Sequence, residues 1–595
     1  MILQHWREIR LLVTTALRTD KWRCLGTLLE PLGALTLPLY GVLLGILADA
    51  IHDLDQWRFL LGCMGLLVAV VVQYLASYIG NSLRTSLSER VGFAFDQQIA
   101  DLASGAPGLE HHERVDYQNR LELLQQSQGI LGQSLNFLVV TASALVGAVG
   151  TGVVLVYLHP ITLLLIAFAL PTLLTASIQQ RWQKEAEESS AEPARLSRHL
   201  RELSVDRTAG MEIRAFGLRV EVLSRMSVAW RESREPLHVA SLKSGVIAAV
   251  RAVLFAVGFV LAVGFVVWRV SNNQGTPGDV VTAVVVCQQV QHQVVGPAYN
   301  IAGLGRVLRT AGRLLWLRDY AARSAAAMTG TAPAGDRLMS SISFEHVSFR
   351  YPGSDTWVLT DVTTELPAGA SVAVVGENGA GKTSLVKLLA RLYDPTEGRI
   401  LVDGVDLRDI DIDQWRARLT AAFQDFVRFE LPAHRSVGIG DLPVCDDLAA
   451  VDAALVRAGA TGVFDHLAGG VEQQLGGDWA GGIDLSVGQW QKVALGRALM
   501  RTEPLVVFFD EPTANLDAPS EHALFDRYTS EAARMGRRTG TLTLLITHRF
   551  STVRSVDRIL VLEQGRLVQE GSHNELVASP GLYADLYTLQ AKSFA

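Results

Sequence analysis

Long runs without a charged residue are the feature that most limits how this chain can fold. Residues 59–79, for example, contain no Asp, Glu, Lys or Arg, and a helix of about 20 apolar residues crosses the hydrocarbon core of a bilayer. Five other runs are of similar length and apolar character. We therefore predict six membrane-spanning helices, at residues 24–48, 59–79, 135–158, 160–180, 244–267 and 278–305.

Positive charges lie on one side of these predicted spans. The gap at residues 181–243 carries twelve Lys and Arg residues and residues 1–23 carry five, whereas the short loops carry almost none. Because cytoplasmic loops are enriched in Lys and Arg, we expect both termini and both long loops to be cytoplasmic, in a multi-pass protein of a bacterial cell membrane. Residues 1–22 are typical of an amphipathic elbow helix lying at the membrane face.

Charge also divides the chain into two parts. Residues 1–340 hold 30 Lys and Arg against 26 Asp and Glu, and residues 341–595 hold 23 against 34, so +4 and −11 give the −7 of the whole chain. We predict a membrane domain at 23–323, a small-residue-rich linker at 324–340 and a soluble domain at 341–595. The acidic balance gives no reason to expect a nucleic-acid partner.

The soluble part contains a phosphate-binding pattern. Residues 376–383 fit GxxxxGK[ST] and stand between a strand-like apolar run and an amphipathic helix-like run, which is the setting this motif requires. Its glycines let backbone N–H groups curl around phosphates, and the helix N-terminus adds a positive dipole end. We expect Lys382 to reach the β- and γ-phosphates and Thr383 to ligate Mg²⁺.

A second apolar strand-like run, Leu505–Phe509, ends in the acidic pair Asp510 and Glu511. Such a strand brings a metal-binding Asp to the mouth of a parallel sheet. We expect Asp510 to hold Mg²⁺, through water, and Glu511 to polarise the attacking water.

Together with LSVGQ at 485–489, these motifs resemble an ATP-binding cassette, and the six spans resemble the membrane domain of an ABC exporter half-transporter. The family's other motifs occur in order as Tyr351, Gln424 in FQDF, Asp517 in NLD and His548 in LITHR. The resemblance implies a multidomain fold: an all-α bundle of six transmembrane helices, of the type I exporter or type IV ABC fold, followed by an α/β P-loop NTPase cassette.

The resemblance also implies roles for individual residues. Glu511, His548 and Gln424 would be catalytic, and Thr383, Gln424 and Asp510 would hold Mg²⁺. In the family, the signature and Asp517 close on nucleotide held by the other chain. The residues expected to contact ATP are Tyr351, Gly376, Asn378, Gly379, Ala380, Gly381, Lys382, Thr383, Ser384, Ser486, Val487, Gly488, Gln489 and Asp517.

One cassette per chain means that two composite sites require a second half-transporter. We expect a homodimer. A heterodimer is the alternative because Val487 stands where the signature usually has glycine, and a β-branched residue does not readily adopt glycine-only backbone angles.

The predicted sixth span contains Gln288, Gln291 and His292 on one helical face. Polar side chains at membrane depth usually face a cavity or a partner helix, so we interpret this face as lining a substrate path, with hydrogen bonding between helices as the alternative. Arg251 is expected to snorkel to the cytoplasmic face. Segments 108–122 and 208–218 stand where the family's loops contact the cassettes.

The predicted function is ATP-driven export of small amphipathic molecules, drugs or peptides across the lipid bilayer, by alternating access. Uptake of metal-chelate siderophores on the same fold is one alternative. An ATP-gated channel or a sensor that does not transport is another, although the acid at Glu511 and the histidine at His548 favour ATP turnover.

Overall fold

The structure is a computed structural model that describes residues 5–125, 127–510, 530–531, 533–547 and 553–593. The chain divides into two compact units, which are described separately. The first comprises Met1–Ala103 and Leu121–Arg318, and the second comprises Ser104–Arg120 and Asp319–Ala595. The second unit therefore takes a short segment from the middle of the membrane part as well as the C-terminal half.

Helices form the first unit. The helices from the N-terminus to residue 327 are α1 Trp6–Thr19, α2 Lys21–Gly26, α3 Leu29–Ala34, α4 Thr36–His52, α5 Gln56–Ser104, α6 Glu110–Glu113, α7 Val115–Gln125, α8 Gln128–Gly132, α9 Ser134–Leu158, α10 Leu164–Ala169, α11 Pro171–Val205, α12 Arg207–Ala215, α13 Arg219–Ser271 and α14 Pro277–Ala327.

Within the part of the chain that the structure describes, four helical stretches are long and apolar enough to cross a membrane: Lys21–His52, Gln56–Ser104, Gly129–Leu158 and Arg219–Ser271. They coincide with the first, second, third and fifth predicted spans. The predicted fourth span is divided among a 3₁₀ turn at Pro160–Leu163, α10 and the start of α11. The predicted sixth span lies within α14.

Small residues allow α4 and α14 to pack closely. The hydroxyl of Thr282 donates a hydrogen bond to the carbonyl of Gly41 over 3.0 Å, and a Cβ at Gly45 would collide with that same side chain. Asp49 accepts a 2.6 Å hydrogen bond from the backbone N–H of Gly278 at the start of α14. Contacts of this kind let helix backbones approach where the hydrophobic effect gives no preference between lipid and protein.

An ion pair joins α3 and α5. Arg84 Nε lies 3.0 Å from Glu30 Oε2, and both side chains are largely buried. Gly80, one turn before Arg84, makes room for the carboxylate, since a Cβ there would press on the Glu30 side chain. In a membrane span each charge is therefore compensated by the other.

Two sheets and their covering helices form the cassette part of the second unit. Its strands are β1 Ser341–Phe349, β2 Leu359–Pro367, β3 Ser371–Gly376, β4 Glu397–Val402, β5 Val405–Asp406, β6 Leu419–Ala422, β7 Val506–Asp510, β8 Leu542–Ile546, β9 Arg558–Glu563 and β10 Arg566–Gly571. Its helices are α15 Lys382–Leu389, α16 Ile412–Ala417, α17 Ala433–Gly438, α18 Leu448–Arg457, α19 Val487–Ala498, α20 His573–Ala578 and α21 Leu582–Ser593.

The larger sheet has the order β10-β9-β3-β8-β7-β6, and the smaller has the order β2-β1-β4-β5. In the larger sheet β6, β7, β8, β3 and β9 are parallel. Every residue of β7 and β8 is buried, as expected for parallel strands that are covered on both faces. The carboxyl ends of β3, β8, β7 and β6 consequently meet at one edge.

We expect Arg84→Leu to lower the free energy of unfolding by about 3 kcal/mol, because it leaves the Glu30 carboxylate buried without a counter-charge. The double variant Glu30→Leu/Arg84→Leu should recover most of that loss. Thermal unfolding of the purified protein in detergent measures both. Arg58→Leu, at an exposed arginine near Asp53 and Asp55, is the control and should change stability little. A double variant as unstable as the single one would contradict the pairing.

Candidate ATP-binding and catalytic site

The loop between β3 and α15 has the backbone shape of a phosphate cradle. Gly379 and Gly381 have φ angles of 82° and 97°, in the left-handed region that residues with a Cβ rarely adopt. A Cβ at Gly381 would also press on Leu359 and on the carbonyl of Val358. The glycines of the motif are therefore required by geometry, and the N-terminus of α15 opens directly after them, at Lys382.

The Lys382 ammonium lies over this loop. Its Nζ donates hydrogen bonds to the carbonyls of Gly376 and Glu377, each over 2.8 Å. Thr383, the next residue, is exposed in the first turn of α15. A cation inside a ring of backbone groups at a helix N-terminus is suited to bind an anion.

Tyr351 stands beside the same helix. Its hydroxyl is 2.9 Å from the Ser384 Oγ, and its ring meets the rings of Phe349 and Tyr393 edge to face. The residue that the sequence predicts to stack on adenine is thus packed next to the phosphate loop.

Strand register places Asp510 and Gln424 at the same edge as the loop. Asp510 pairs with Ile546 of β8, and Ile546 pairs with Val374 of β3, so Asp510 is two strands from the start of the loop, about 10 Å at the usual strand spacing. Asp510 is only 6% exposed. Gln424 follows β6 by two residues and is exposed. Glu511, Asp517 and His548 lie outside the described residues.

The signature residues form the start of α19. Ser486 caps the helix: its Oγ accepts a hydrogen bond from the backbone N–H of Gln489, whose side chain in turn accepts one from the N–H of Ser486. Val487 is the first residue of this right-handed helix, so valine here needs no glycine-only backbone angles. Around Gly488 there is open space. The helix N-terminus is therefore accessible to an anionic ligand.

The sequence reasoning missed Arg497, at the other end of α19. Its guanidinium donates hydrogen bonds to the carbonyls of Ser436 and Val427, over 3.0 and 3.1 Å, and lies 4.5 Å from the ring of Phe429. Burial lowers the pKa of Arg497 to about 10, so it is charged at neutral pH. This side chain ties the signature helix to the segment that follows Gln424.

The segment 104–120 packs against the cassette within the second unit. The backbone N–H of Leu109 donates a 3.1 Å hydrogen bond to the carbonyl of Leu392, and the guanidinium of Arg416 donates one to the carbonyl of Pro107. Lys387 of α15 pairs with Glu113 of α6 over 2.9 Å. The same ammonium lies 4.9 Å from the centre of the Tyr351 ring.

Lys387 therefore links Glu113 to the side chain predicted to contact adenine. This link could not be read from the sequence, because Glu113 and Lys387 are 274 residues apart and neither belongs to a recognised motif. The polar, amphipathic character of segment 108–122 was the only available signal.

His111 is buried in the same segment. It is 2% exposed and its ring lies 5.1 Å from Tyr117 and 6.2 Å from Tyr320. Burial, together with the neighbouring His112, lowers the pKa of His111 from 6.5 to about 4. A neutral imidazole is therefore part of this aromatic cluster at neutral pH.

The candidate substrate-path residues are in the first unit. Gln288 is exposed, Gln291 lines a cavity, and the side chain of His292 lies outside the described part of the chain. Their neighbour Gln289 donates a 2.7 Å hydrogen bond to the carbonyl of Leu37 in α4. One glutamine of this helix thus joins two helices, while another faces open volume.

Comparisons with known proteins agree with this arrangement. The family described as "ABC transporter" matches residues 359–514. An ATP-dependent lipid A-core flippase of Alcanivorax borkumensis is 26% identical over 555 residues, which cover 92% of this chain and 91% of that protein. The chain is similar in structure to a bacterial Atm1-family ABC exporter with ATP bound, at a TM-score of 0.75 and 25% identity, over 96% of this chain and 98% of that one.

Other relatives match over less of their length. A lipid A-core flippase of Burkholderia orbicola is 34% identical over 57% of this chain and 54% of its own. One of Ralstonia nicotianae is 39% identical over 43% of this chain and 42% of its own. With the two matches that extend from end to end, they confirm the expected fold: a helical membrane domain followed by an ATP-binding cassette.

We expect Lys387→Met to raise the KM for ATP about threefold, because the cation beside Tyr351 is lost and partly exposed pairs contribute up to about 1 kcal/mol. Glu113→Gln should raise KM about twofold in the unmodified protein and not at all in the Lys387→Met background, since its effect passes through Lys387. ATPase kinetics of the unmodified protein, the two single variants and the double variant give this double-mutant cycle. Glu110→Gln, which breaks a pair with Arg114 inside the same loop, is the control; additive effects would contradict the linkage.

His111 should make the protein sensitive to acid. Its folded pKa is below the unfolded value, so the unfolded chain binds the proton first and stability falls as pH drops from about 6.5 towards 4. We expect His111→Phe to lose less stability than the unmodified protein between pH 7 and pH 5, by thermal unfolding. His466→Phe, at an exposed histidine, should follow the unmodified protein. Parallel curves for His111→Phe would refute the prediction.

Proposed function

We propose that the chain is an exporter-type ABC half-transporter whose cassette hydrolyses ATP to drive export of a small amphipathic molecule from the cytoplasm. One observation carries the proposal: apolar spans and a phosphate loop with its acidic strand end occur in one chain that matches an ABC exporter along 96% of its length. The relatives named as lipid A-core flippases favour a lipid-like cargo over a peptide.

We propose a division of labour at the cassette among the residues of the motifs. Lys382 and the N–H groups of the loop bind the β- and γ-phosphates, and Tyr351 stacks on adenine. Glu511 takes the proton of the attacking water, and His548 and Gln424 orient that water. All of these groups except Tyr351, which follows β1 of the smaller sheet, come after a strand of the parallel sheet in sequence.

We propose Mg²⁺ as the metal ion. The side chains available at this edge, Thr383, Asp510 and Gln424, all offer oxygen atoms, which Mg²⁺ prefers. Among the described residues no cluster of three His, Cys, Asp or Glu could hold a metal ion. When bound, Mg²⁺ would neutralise charge on the β- and γ-phosphates.

A dimer is part of the proposal, and a homodimer is favoured. The start of α19 is exposed in the single chain, as it must be if it closes on nucleotide held by a second cassette. In the loop between α11 and α13, Met211 and Phe216 of the segment 208–218 are exposed apolar side chains. They are suited to a contact with a second chain. We also propose that both cassettes are cytoplasmic, because the long loops next to the predicted spans carry most of the Lys and Arg residues.

We expect the reconstituted protein to move a fluorescent short-chain phospholipid between leaflets only when ATP is present, and Glu511→Gln to slow both hydrolysis and movement about 100-fold, the usual contribution of a general base. Leaflet position is measured by quencher accessibility and hydrolysis by phosphate release. Glu563→Gln, at an exposed acid that ends β9, is the matched control. Near-normal turnover in Glu511→Gln, or ATP hydrolysis without movement of any amphiphile, would refute the proposal.

A further inference from the structure

The membrane domain contains a partly open cavity with one charged residue in its lining. Its volume is about 180 Å³, large enough for several water molecules, and it lies among α10, α11, α13 and α14. The residues that line it are Ala169, Thr172, Ala248, Arg251, Ala252, Phe255 and Gln291. Apart from Thr172, Arg251 and Gln291, the lining is apolar.

Arg251 is an arginine within a predicted membrane span. It lies seven residues beyond Ser244, about 10 Å along the helix, within the apolar part of α13. Gln179 bonds to the Ser244 carbonyl, so in this antiparallel pair of helices Thr172 is level with Arg251. The guanidinium donates to Thr175 Oγ1 over 3.0 Å and to the Thr172 carbonyl over 3.5 Å. Thr175 lies about one helical turn beyond Thr172 toward the predicted cytoplasmic end of α11, so the guanidinium leans toward that face, as snorkelling requires, while staying within the predicted span.

The charge of Arg251 has no counter-charge among the described residues. Both hydrogen bonds are donated by Nη1 to neutral oxygens, which leaves the N–H groups of Nε and Nη2 without a partner in the described part of the chain. Two other arginines on long apolar helices have different partners. Arg84 pairs with Glu30, and Arg269, near the end of α13, donates to the carbonyls of Leu158 and Gln274.

An uncompensated charge inside a membrane span is costly, and such residues mark pathways for ions or substrates. A guanidinium with two free N–H edges binds phosphate or carboxylate through paired hydrogen bonds. Gln291 adds a neutral donor on the facing helix, and Phe255 with the alanines adds an apolar wall. The lining thus combines one anion-binding group with surface for a hydrocarbon chain.

We propose that Arg251 and Gln291 form a binding site for the anionic headgroup of an amphipathic cargo, a phosphate or a carboxylate. The inference rests on the proposed function, which it deepens by naming the charge of the cargo. The site selects anionic amphiphiles over neutral ones of the same chain length.

The test is equilibrium binding of tritiated lysophosphatidic acid to the purified full chain in phosphatidylcholine nanodiscs. Competitors are the monoacylglycerol with the same acyl chain, which lacks the charge, the corresponding fatty acid, which carries a carboxylate, and glycerol 3-phosphate, which lacks the chain. We expect monoacylglycerol and glycerol 3-phosphate to compete at least tenfold more weakly than unlabelled lysophosphatidic acid. Competition by the fatty acid at a similar concentration shows that either anion suffices; weak competition assigns the site to phosphate.

Variants then locate the site. Arg251→Gln should weaken lysophosphatidic acid binding at least tenfold, Arg251→Lys should weaken it less, and Arg269→Gln, an arginine of the same helix bonded to carbonyls, should bind normally. Equal competition by monoacylglycerol or by glycerol 3-phosphate would overturn the inference, as would Arg251→Gln binding within twofold of the unmodified protein. The competition experiment uses the unmodified chain and so does not depend on any variant folding.

The outcomes separate this inference from the proposed function. ATP-dependent lipid movement with no preference for charge would refute the anion site alone. Selective anion binding without movement of any lipid would refute export and leave the site standing.

Discussion

Parallel pairing of β3 with β8 and of β8 with β7 is the constraint on which the nucleotide site depends. Parallel strands bring their carboxyl ends to one edge, so residues far apart in sequence lie together there even without direct contacts between them. The phosphate loop follows β3, Asp510 ends β7 and Gln424 follows β6. The pairing in turn requires strands that are apolar on both faces, which the sequences of β7 and β8 provide.

Sequence predicts best those parts of the site in which the local backbone conformation itself forms the binding group. The loop with glycines at 379 and 381, and the helix that begins at Lys382, can be predicted because few other residues could adopt the backbone angles of these two glycines. Val487 shows the limit of such reasoning. It was expected to strain a glycine position, yet it occupies the first turn of α19, where ordinary helical angles suffice.

Side-chain contacts between distant segments were beyond that reasoning, because no local rule specifies them. Nothing in the sequence of α15 indicates that Lys387 pairs with Glu113, and nothing near Arg497 indicates that it anchors the segment after Gln424. Arg251 was visible as a charge in an apolar run, but its partners depend on which helix lies opposite. Arg84, Arg269 and Arg251 illustrate this: the first is paired with a carboxylate, the second with carbonyls, and the third with neutral hydroxyl and carbonyl groups.

The cassette unit is continuous in space but not in sequence, because Ser104–Arg120 folds with Asp319–Ala595. Expression of residues 341–595 alone would therefore leave uncovered the surface on which Leu109 and Glu113 dock. A chimera joined at the linker would combine a loop from one parent with a docking surface from another. Exchange of cassettes between chains of this architecture is thus constrained at two places in the chain, and a functional exchange has to carry seventeen residues of the membrane part with it.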